Sequence, residues 1–223
     1  TYRTEASTWT SFVAAIRPML EAQKALKGEG LRLLTTTVTS PTLGAQINEL
    51  LKQYPLAKWY VNDPLARRNA MDGARAAFGR PLQPVYNFAE ADVIISLDSD
   101  FLGIGGDKLS NARAFAARRS FDKVSEKEMN RLYVAESSIS ITGASADHRM
   151  AVRASEVEGI ARELASAVGL AVEKGSLPSS SMAQSIVAAM VKDVQARPTR
   201  TVVLVGESQP AFVHALAFAI NEK

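Results

Sequence analysis

The chain contains no cysteine, and this absence removes several kinds of chemistry at once. Without thiols this segment forms no disulfide, no thiolate nucleophile, no cysteine-ligated zinc site and no iron–sulfur cluster of its own. Only two histidines are present, His148 and His214, so a histidine-built metal site is disfavoured as well. No run approaches the roughly 20 apolar residues that span a bilayer, so we expect no direct membrane insertion.

An excess of positive charge is also missing. The 26 basic residues are nearly balanced by 23 acidic ones, which leaves a net charge of +3. The basic residues are scattered except for the pairs Arg67-Arg68 and Arg118-Arg119, which we interpret as solvated faces of helices. A nucleic-acid binder would carry a clustered basic surface, so the sequence predicts no nucleic-acid partner.

The overall composition is that of a globular domain. The 223 residues are 47% apolar and 22% charged, which is enough material for one large core. The chain begins with Thr1 and ends shortly after an apolar helix, so we expect a domain excised from a longer protein. We interpret residues 1–223 as a single domain, with the Ser-, Gly- and Pro-containing loop at 174–181 as a possible hinge.

Predicted strands and helices alternate along the chain. The segment Val93–Leu97 is a run of mainly β-branched residues without polar alternation, which is typical of a strand covered on both faces. Strand–helix alternation repeated five times predicts an α/β fold. We expect a doubly wound, mostly parallel, Rossmann-like sheet with helices on both faces.

Polar side chains follow two of these strands directly. Asp98, Ser99 and Asp100 come after Val93–Leu97, and Glu136, Ser137 and Ser138 come after the predicted strand Leu132–Ala135. In a parallel sheet both groups lie at the carboxyl edge, where ligands bind. Three predicted helices start with proline beside a capping residue and should point free N–H groups at this edge, at Ser40-Pro41, Asp63-Pro64 and Ser208-Gln209-Pro210. For each of these three junctions the alternative explanation is helix capping without a ligand.

The residue types favour a nucleoside over a phosphate. Carboxylates repel phosphate but accept hydrogen bonds from ribose hydroxyls and from guanine N–H groups. The phosphate-binding loop Gly-x-x-x-x-Gly-Lys-[Ser/Thr] is missing, and Lys108 stands where a dinucleotide fingerprint needs its third glycine. In the segment Gly206–Pro210, proline replaces the last glycine of a nucleophile elbow, which disfavours a serine hydrolase. We interpret Asp147-His148 as a structural pair.

Four strings resemble molybdopterin-dependent oxidoreductases of the dimethyl-sulfoxide-reductase type, and more specifically the molybdopterin-like region of the large iron–sulfur subunit of alternative complex III. They stand at Ser96–Leu102, Met129–Glu136, Thr142–Arg149 and Gly206–Ala217. On the family pattern Glu136, Thr142, Asp147 and Arg153 take the places of an Asp, a Thr, an Asp and an Arg near the nucleotide end of the cofactor. Ser137-Ser138 replaces the family's Pro-Arg, so a positive charge that would serve the pyrophosphate is missing.

The resemblance implies a part of a quinol-oxidising respiratory complex that holds no molybdenum and acts as a structural and docking module. It implies no cofactor in this segment, and iron–sulfur clusters elsewhere in the full-length chain. The implied partners are that iron–sulfur domain and membrane or cytochrome subunits, on the periplasmic side. Two alternatives stay open: a catalytic-type domain that binds the guanosine end of molybdopterin guanine dinucleotide, and a stand-alone nucleotide-binding regulatory domain. The candidate crevice comprises Ser40, Asp63, Asp98, Ser99, Asp100, Glu136, Ser137, Ser138, Thr142, Asp147 and Ser208.

Overall fold

The computed structural model describes residues 6–63, 68–104, 107–120 and 129–223, and the chain divides into two compact units. The units are Thr1–Ala66 and Arg67–Lys223. Their boundary therefore lies far from the 174–181 loop. That loop belongs to the second unit, where the backbone of Ser176 packs closely against Gly159. The interpretation of the whole chain as one domain stays a prediction.

The first unit contains two helices and two strands: α1 (Trp9–Ala25), β1 (Arg32–Thr35), α2 (Pro41–Gln53) and β2 (Lys58–Val61). The strands are parallel and pair in register from Arg32 with Lys58 to Thr35 with Val61. Ser40 caps α2 as predicted, because its hydroxyl accepts a hydrogen bond from the Leu43 N–H at 3.3 Å. The segment 64–67 lies outside the described residues, so the predicted cap at Asp63-Pro64 stays a prediction.

The second unit contains the larger sheet. Its main elements in chain order are α3 (Arg68–Phe78), β3 (Val93–Leu97), α4 (Lys108–Ala117), β4 (Arg131–Glu136), α5 (Ile141–Ala144), β5 (His148–Ala151), α6 (Val157–Ala167), α7 (Ser181–Ala196), β6 (Thr201–Val205) and α8 (Ala211–Glu222). The strand order is β5-β4-β3-β6, and every pairing is parallel. The order reverses between β3 and β6, because the chain continues from β3 to β4 on one side and returns with β6 on the other.

Strand β3 lies at the centre of this sheet and is buried along its whole length. Val93, Ile95 and Leu97 face one core, which they share with apolar residues of α6, α7 and α8. Ile94 faces the opposite core, where Phe88, Phe101 and Phe115 pack. Helices therefore cover both faces, and the predicted doubly wound α/β fold is confirmed.

Two features differ from the sequence prediction. The strands form two sheets rather than one, because β1 and β2 pair only with each other among the described strands. The stretch after β4, predicted to be irregular, contains the helical turn α5, which Ser140 caps through the N–H of Gly143 at 2.9 Å. A helix of four residues is too short to show helical periodicity in the sequence, so only its cap, Ser140, could have indicated it.

The outer edge of β6 is covered at one residue by a side chain. Asn221 of α8 accepts a hydrogen bond from the Val203 N–H and donates one to the Val203 carbonyl, both at 2.8 Å. Its amide therefore makes the two hydrogen bonds that a further strand would make there.

Candidate functional site at the carboxyl edge of the sheet

The tip of β3 is a tight turn built by serine and aspartate. The Ser96 hydroxyl donates to the Ser99 carbonyl at 2.5 Å and accepts from the Ser99 N–H at 3.2 Å. Asp98 takes a left-handed backbone conformation with φ of 62°, in which aspartate is more common than most residues. Its N–H donates to the Ala135 carbonyl at 2.7 Å, so the tips of β3 and β4 lie side by side as predicted.

The carboxylate of Asp98 is held by the loop that follows β6. Its Oδ2 accepts from the Ser208 hydroxyl at 2.9 Å and from the Gln209 side-chain amide at 3.0 Å. Gln209 is itself buried, with 2% of its surface exposed. Asp98 and Ser208 are thus brought together, but their side chains are hydrogen-bonded directly to each other.

Gly206 fills the space between the same two tips. A Cβ atom at this position would lie 1.8 Å from the carbonyl oxygen of Asp98, which no side chain tolerates. The Gly206 N–H also donates to the Leu97 carbonyl at 2.8 Å. The reversal of strand order between β3 and β6 is where a doubly wound sheet opens its crevice. Here, the backbones of the two tips are in contact at that point.

Asp100 binds the turn that follows β4. Its Oδ1 accepts from the Thr142 N–H at 2.9 Å and from the Thr142 hydroxyl at 2.7 Å. The same hydroxyl accepts from the Leu102 N–H at 3.1 Å. Thr142 is completely buried, so this pair fixes the two loops to each other.

Glu136 is the most enclosed of the predicted carboxylates, with 3% of its surface exposed. Its Oε1 accepts from Arg149 at 2.6 Å, and its Oε2 accepts from the Ser140 hydroxyl at 2.6 Å. The buried charge is therefore neutralised by Arg149 of β5, as a buried carboxylate requires. Ser137 and Ser138 beside it are exposed.

Asp147 was predicted at this edge, and the structure corrects that placement. It precedes β5 and therefore lies at the amino edge of the sheet, where it accepts from the Leu132 N–H at 2.7 Å and forms an ion pair with Arg119. Burial tends to raise the pKa of Asp147, but the bonds from Arg119 and Leu132 outweigh it, so the pKa is lowered. The neighbouring His148 ring stacks on Tyr133 with 4.8 Å between centroids, which agrees with a structural role.

Ser40 and Asp63 do not follow strands of this sheet. Both flank elements of the first unit, whose two strands form a separate sheet. The prediction that three proline-started helices share one edge of one sheet is therefore wrong. Strand pairing is a long-range property, and the local capping pattern that we used carries no information about it.

Sequence reasoning missed the partners that hold these carboxylates: Ser140, Arg149 and Gln209. Arg149 alternates outward from β5 and is next to a buried Met150, so a strand assignment at His148 would have identified it. Nothing in the sequence marked Gln209 as a buried residue, because a polar residue in a loop is normally solvated. Arg153 is exposed after β5.

Behind the β6 loop lies a buried histidine. His214 of α8 is 4% exposed, and its Nε2 atom has no hydrogen-bond partner. Burial lowers the pKa of His214 to about 4, although the backbone carbonyls of Gly206 and Gln209 favour its charged form. A Cβ atom on Gly73 of α3 would lie 2.5 Å from the Cβ of His214, so only glycine permits this contact.

One further candidate site lies away from the carboxyl edge. A groove of about 330 Å³ lies at the opposite end of β6, between Tyr86, Phe78 and Phe218. Within residues 6–63, 68–104, 107–120 and 129–223, no group of three or more potential ligands is placed to hold a metal ion. In the same ranges no helix is both long enough and apolar enough to cross a membrane.

Comparisons with known proteins do not assign the chain to a family. No protein-family model matches the chain, and no curated protein gives a significant match. The resemblance to molybdopterin oxidoreductases therefore rests on the four sequence strings alone. They correspond to β3 and its tip, to β4, to the segment from α5 into β5, and to the loop before α8 with the start of that helix.

Proposed function

We propose that this chain is a molybdopterin-oxidoreductase-like domain that acts as a structural and docking module of a respiratory electron-transfer complex. The observation that carries the proposal is the closure of the carboxyl edge. Asp98, Asp100 and Glu136 each bond to a neighbouring loop of the same chain, and Gly206 brings the β3 and β6 tips into backbone contact.

This arrangement disfavours the guanosine end of molybdopterin guanine dinucleotide. Such a nucleoside would need free acceptors for its ribose hydroxyls and for the N–H groups of guanine. Of the roughly eight acceptor positions on the carboxylates of Asp98 and Asp100, four are already used by Ser208, Gln209 and Thr142. Of the two arginines near this edge, Arg149 is bound to Glu136 rather than turned toward a pyrophosphate, and Arg153 after β5 is exposed.

The same resemblance supplies the proposed context. The partners would be an iron–sulfur domain of the same full-length chain and membrane or cytochrome subunits, on the periplasmic side of the membrane. In this role the internal bonds between loops are useful in themselves, because a rigid edge loses little conformational entropy when a partner binds.

Nucleotide binding provides the first test. A ligand present at about 100 times its dissociation constant stabilises a protein by about 2.7 kcal/mol, which raises the melting temperature by about 5–10 °C for a domain of this size. We expect no shift with GTP, GDP or guanosine up to millimolar concentration. A shift of that size, abolished by Asp98→Ala but kept in Glu90→Ala, would instead establish one of the two nucleotide-binding alternatives.

The composition and assembly of the full-length protein provide the second test. We expect iron but neither molybdenum nor pterin in the purified protein. Deleting this domain should prevent assembly of the complex on native gels while the iron content of the remaining chain is retained. Stoichiometric molybdenum, or normal assembly without the domain, would contradict the proposal.

A further inference from the structure

The groove at the amino end of β6 has the features of a small-molecule site. Its volume of about 330 Å³ is at the lower end of the range that such sites have. Its apolar lining includes three aromatic side chains: Phe78, Tyr86 and Phe218. All the residues that line the groove belong to the second unit, so it is a feature of that unit alone.

The aromatic walls are held by firm packing. Phe78 of α3 and Phe218 of α8 contact each other, with 5.3 Å between ring centroids and 53° between ring planes. The segment that carries Tyr86 is anchored by Phe88, which is buried and stacks on Phe101 with centroids 4.6 Å apart. The groove is therefore preformed, as ligand sites usually are.

Three polar side chains of the lining have no partner, in contrast to the carboxylates of the carboxyl edge. Within the ranges that the structure describes, the Tyr86 hydroxyl, the Asn87 side-chain amide and the Glu222 carboxylate make no hydrogen bond or ion pair. Tyr86 is partly buried, and this burial raises the pKa of its hydroxyl to about 12. A tyrosine hydroxyl shielded from water normally has a hydrogen-bond partner. The lining thus offers three oxygen atoms to a ligand.

The charge of the lining selects a cation. Glu222 is negatively charged, and the residues that line the groove include no lysine, arginine or histidine. An anionic ligand would meet this carboxylate without a positive charge to balance it. An ammonium group is attracted both by the carboxylate and by the faces of aromatic rings. Its N–H groups can also donate to the oxygen atoms of Tyr86, Asn87 and Glu222.

We propose that this groove binds a small organic ammonium ion whose apolar body rests on the rings of Phe78 and Phe218. The volume suits a body of a single ring with a short chain. Because the groove is open to solvent on one side, binding of a single-ring ligand is weak, with a dissociation constant of about 1 mM. This inference uses no residue of the carboxyl edge and is independent of the function proposed above.

A titration followed by nuclear magnetic resonance tests the class of ligand. The probe is phenethylammonium, added to the whole chain at neutral pH and physiological ionic strength. We expect the backbone amide signals of Asn87, Thr201 and Glu222 to shift together, with a dissociation constant of about 1 mM. Hydrocinnamate has the same ring and chain but a negative charge, and it should bind about tenfold more weakly or less. Equal binding of the two probes, or no shift of these signals up to about 10 mM phenethylammonium, would overturn the proposal.

Matched variants identify the groups that hold the probe. Glu222→Gln, at the exposed end of α8, should weaken phenethylammonium binding about threefold or more, as expected for the loss of one ion pair. Glu173→Gln removes the same charge from an exposed residue that does not line the groove, so screening by salt should leave the affinity unchanged. Phe78→Leu keeps an apolar side chain but removes a ring, and it should also weaken binding.

Thermal unfolding of the three variants checks that the fold is retained. The pair of glutamine variants decides the proposal even if Phe78→Leu is unstable, because both glutamates are exposed. Equal affinities of Glu222→Gln and Glu173→Gln would overturn it.

Discussion

The two edges of the four-stranded sheet hold their carboxylates in opposite ways. At the amino edge the acids are paired with arginine: Asp92 with Arg118 and Arg200, Asp147 with Arg119, and Asp193 with Arg131. At the carboxyl edge Asp98 and Asp100 are held by hydroxyl and amide groups, and Glu136 is paired with Arg149.

The acids of the amino edge are stabilised mainly by the positive charge of arginine, and those of the carboxyl edge mainly by the close fit of neighbouring loops. Burial tends to raise the pKa of Asp92, but the hydrogen bonds from Arg200 and Arg118 outweigh it and the pKa is lowered. The amino edge is thus clamped by ion pairs. The carboxyl edge is shut by close backbone contact and by hydrogen bonds from uncharged donors to Asp98 and Asp100, with the Glu136–Arg149 ion pair beside them. The two edges should therefore respond differently to substitution and to pH.

The largest effect is expected from enlarging Gly206. Gly206→Val places atoms where a Cβ would already lie 1.8 Å from the Asp98 carbonyl oxygen, so the tips of β3 and β6 must separate. We expect a loss of about 3 kcal/mol or more in the free energy of unfolding, measured with urea. Gly44→Ala, in open space on α2, is the control and should not destabilise. An unchanged stability of Gly206→Val would show that the edge is not closed.

The next effect is a pH dependence at the carboxyl edge. The pKa of His214 falls from 6.5 to about 4 on folding, so its contribution is complete above pH 6.5 and is lost as the pH falls toward 4. The loss is at most about 3 kcal/mol. The protection factor of the Gly206 amide, which is the exchange rate corrected for the intrinsic effect of pH, should fall between these values. That of the Leu132 amide, at the arginine-clamped edge, should hold until the pH passes below the normal aspartate range.

A variant identifies the group responsible. His214→Leu should lose this dependence between pH 6.5 and 4 while its dependence at lower pH persists, because the pKa values of Asp92, Asp147 and Asp193 are lowered. An identical pH profile in the variant would assign the effect to another residue.

A pair of matched substitutions compares the edges directly. Asp92→Asn removes the charge that balances Arg118, whose side chain is only 14% exposed, and should cost about 2 kcal/mol. Asp98→Asn keeps a carbonyl acceptor for Ser208 and Gln209, and asparagine tolerates the positive φ, so we expect about 1 kcal/mol or less. If both variants lose the same free energy of unfolding in urea, the amino and carboxyl edges are not stabilised in different ways.

The sequence predicted the parts of the fold that local chemistry controls. The bounds of β3 follow from an apolar run interrupted only by Ser96, and the start of α2 follows from Ser40 and Pro41. The side-by-side tips of β3 and β4 follow from the rule that parallel strands share an edge. The doubly wound class needed only the order of elements.

The missed features all depend on distant contacts. Asp147 was assigned to the wrong edge because the family pattern placed it in the crevice, whereas it lies immediately before β5 and bonds to the Leu132 N–H. The carboxylates were recognised as a cluster, but their partners come from loops as far away in sequence as Ser208 and Gln209. A periodic pattern identifies which residues lie at a strand end, and it does not show whether the space between two ends is open.

The two bonds between Asn221 and Val203 have a consequence for solubility. An exposed outer strand is a template on which unfolded or neighbouring chains can extend a sheet, and β6, with the sequence Thr-Val-Val-Leu-Val, is well suited to such growth. The Asn221 amide occupies the N–H and the carbonyl of Val203, the middle residue of β6, so an incoming strand cannot form its hydrogen bonds there. With Asn221 bonded at Val203, we expect the edge of β6 to be a poorer template for an incoming strand.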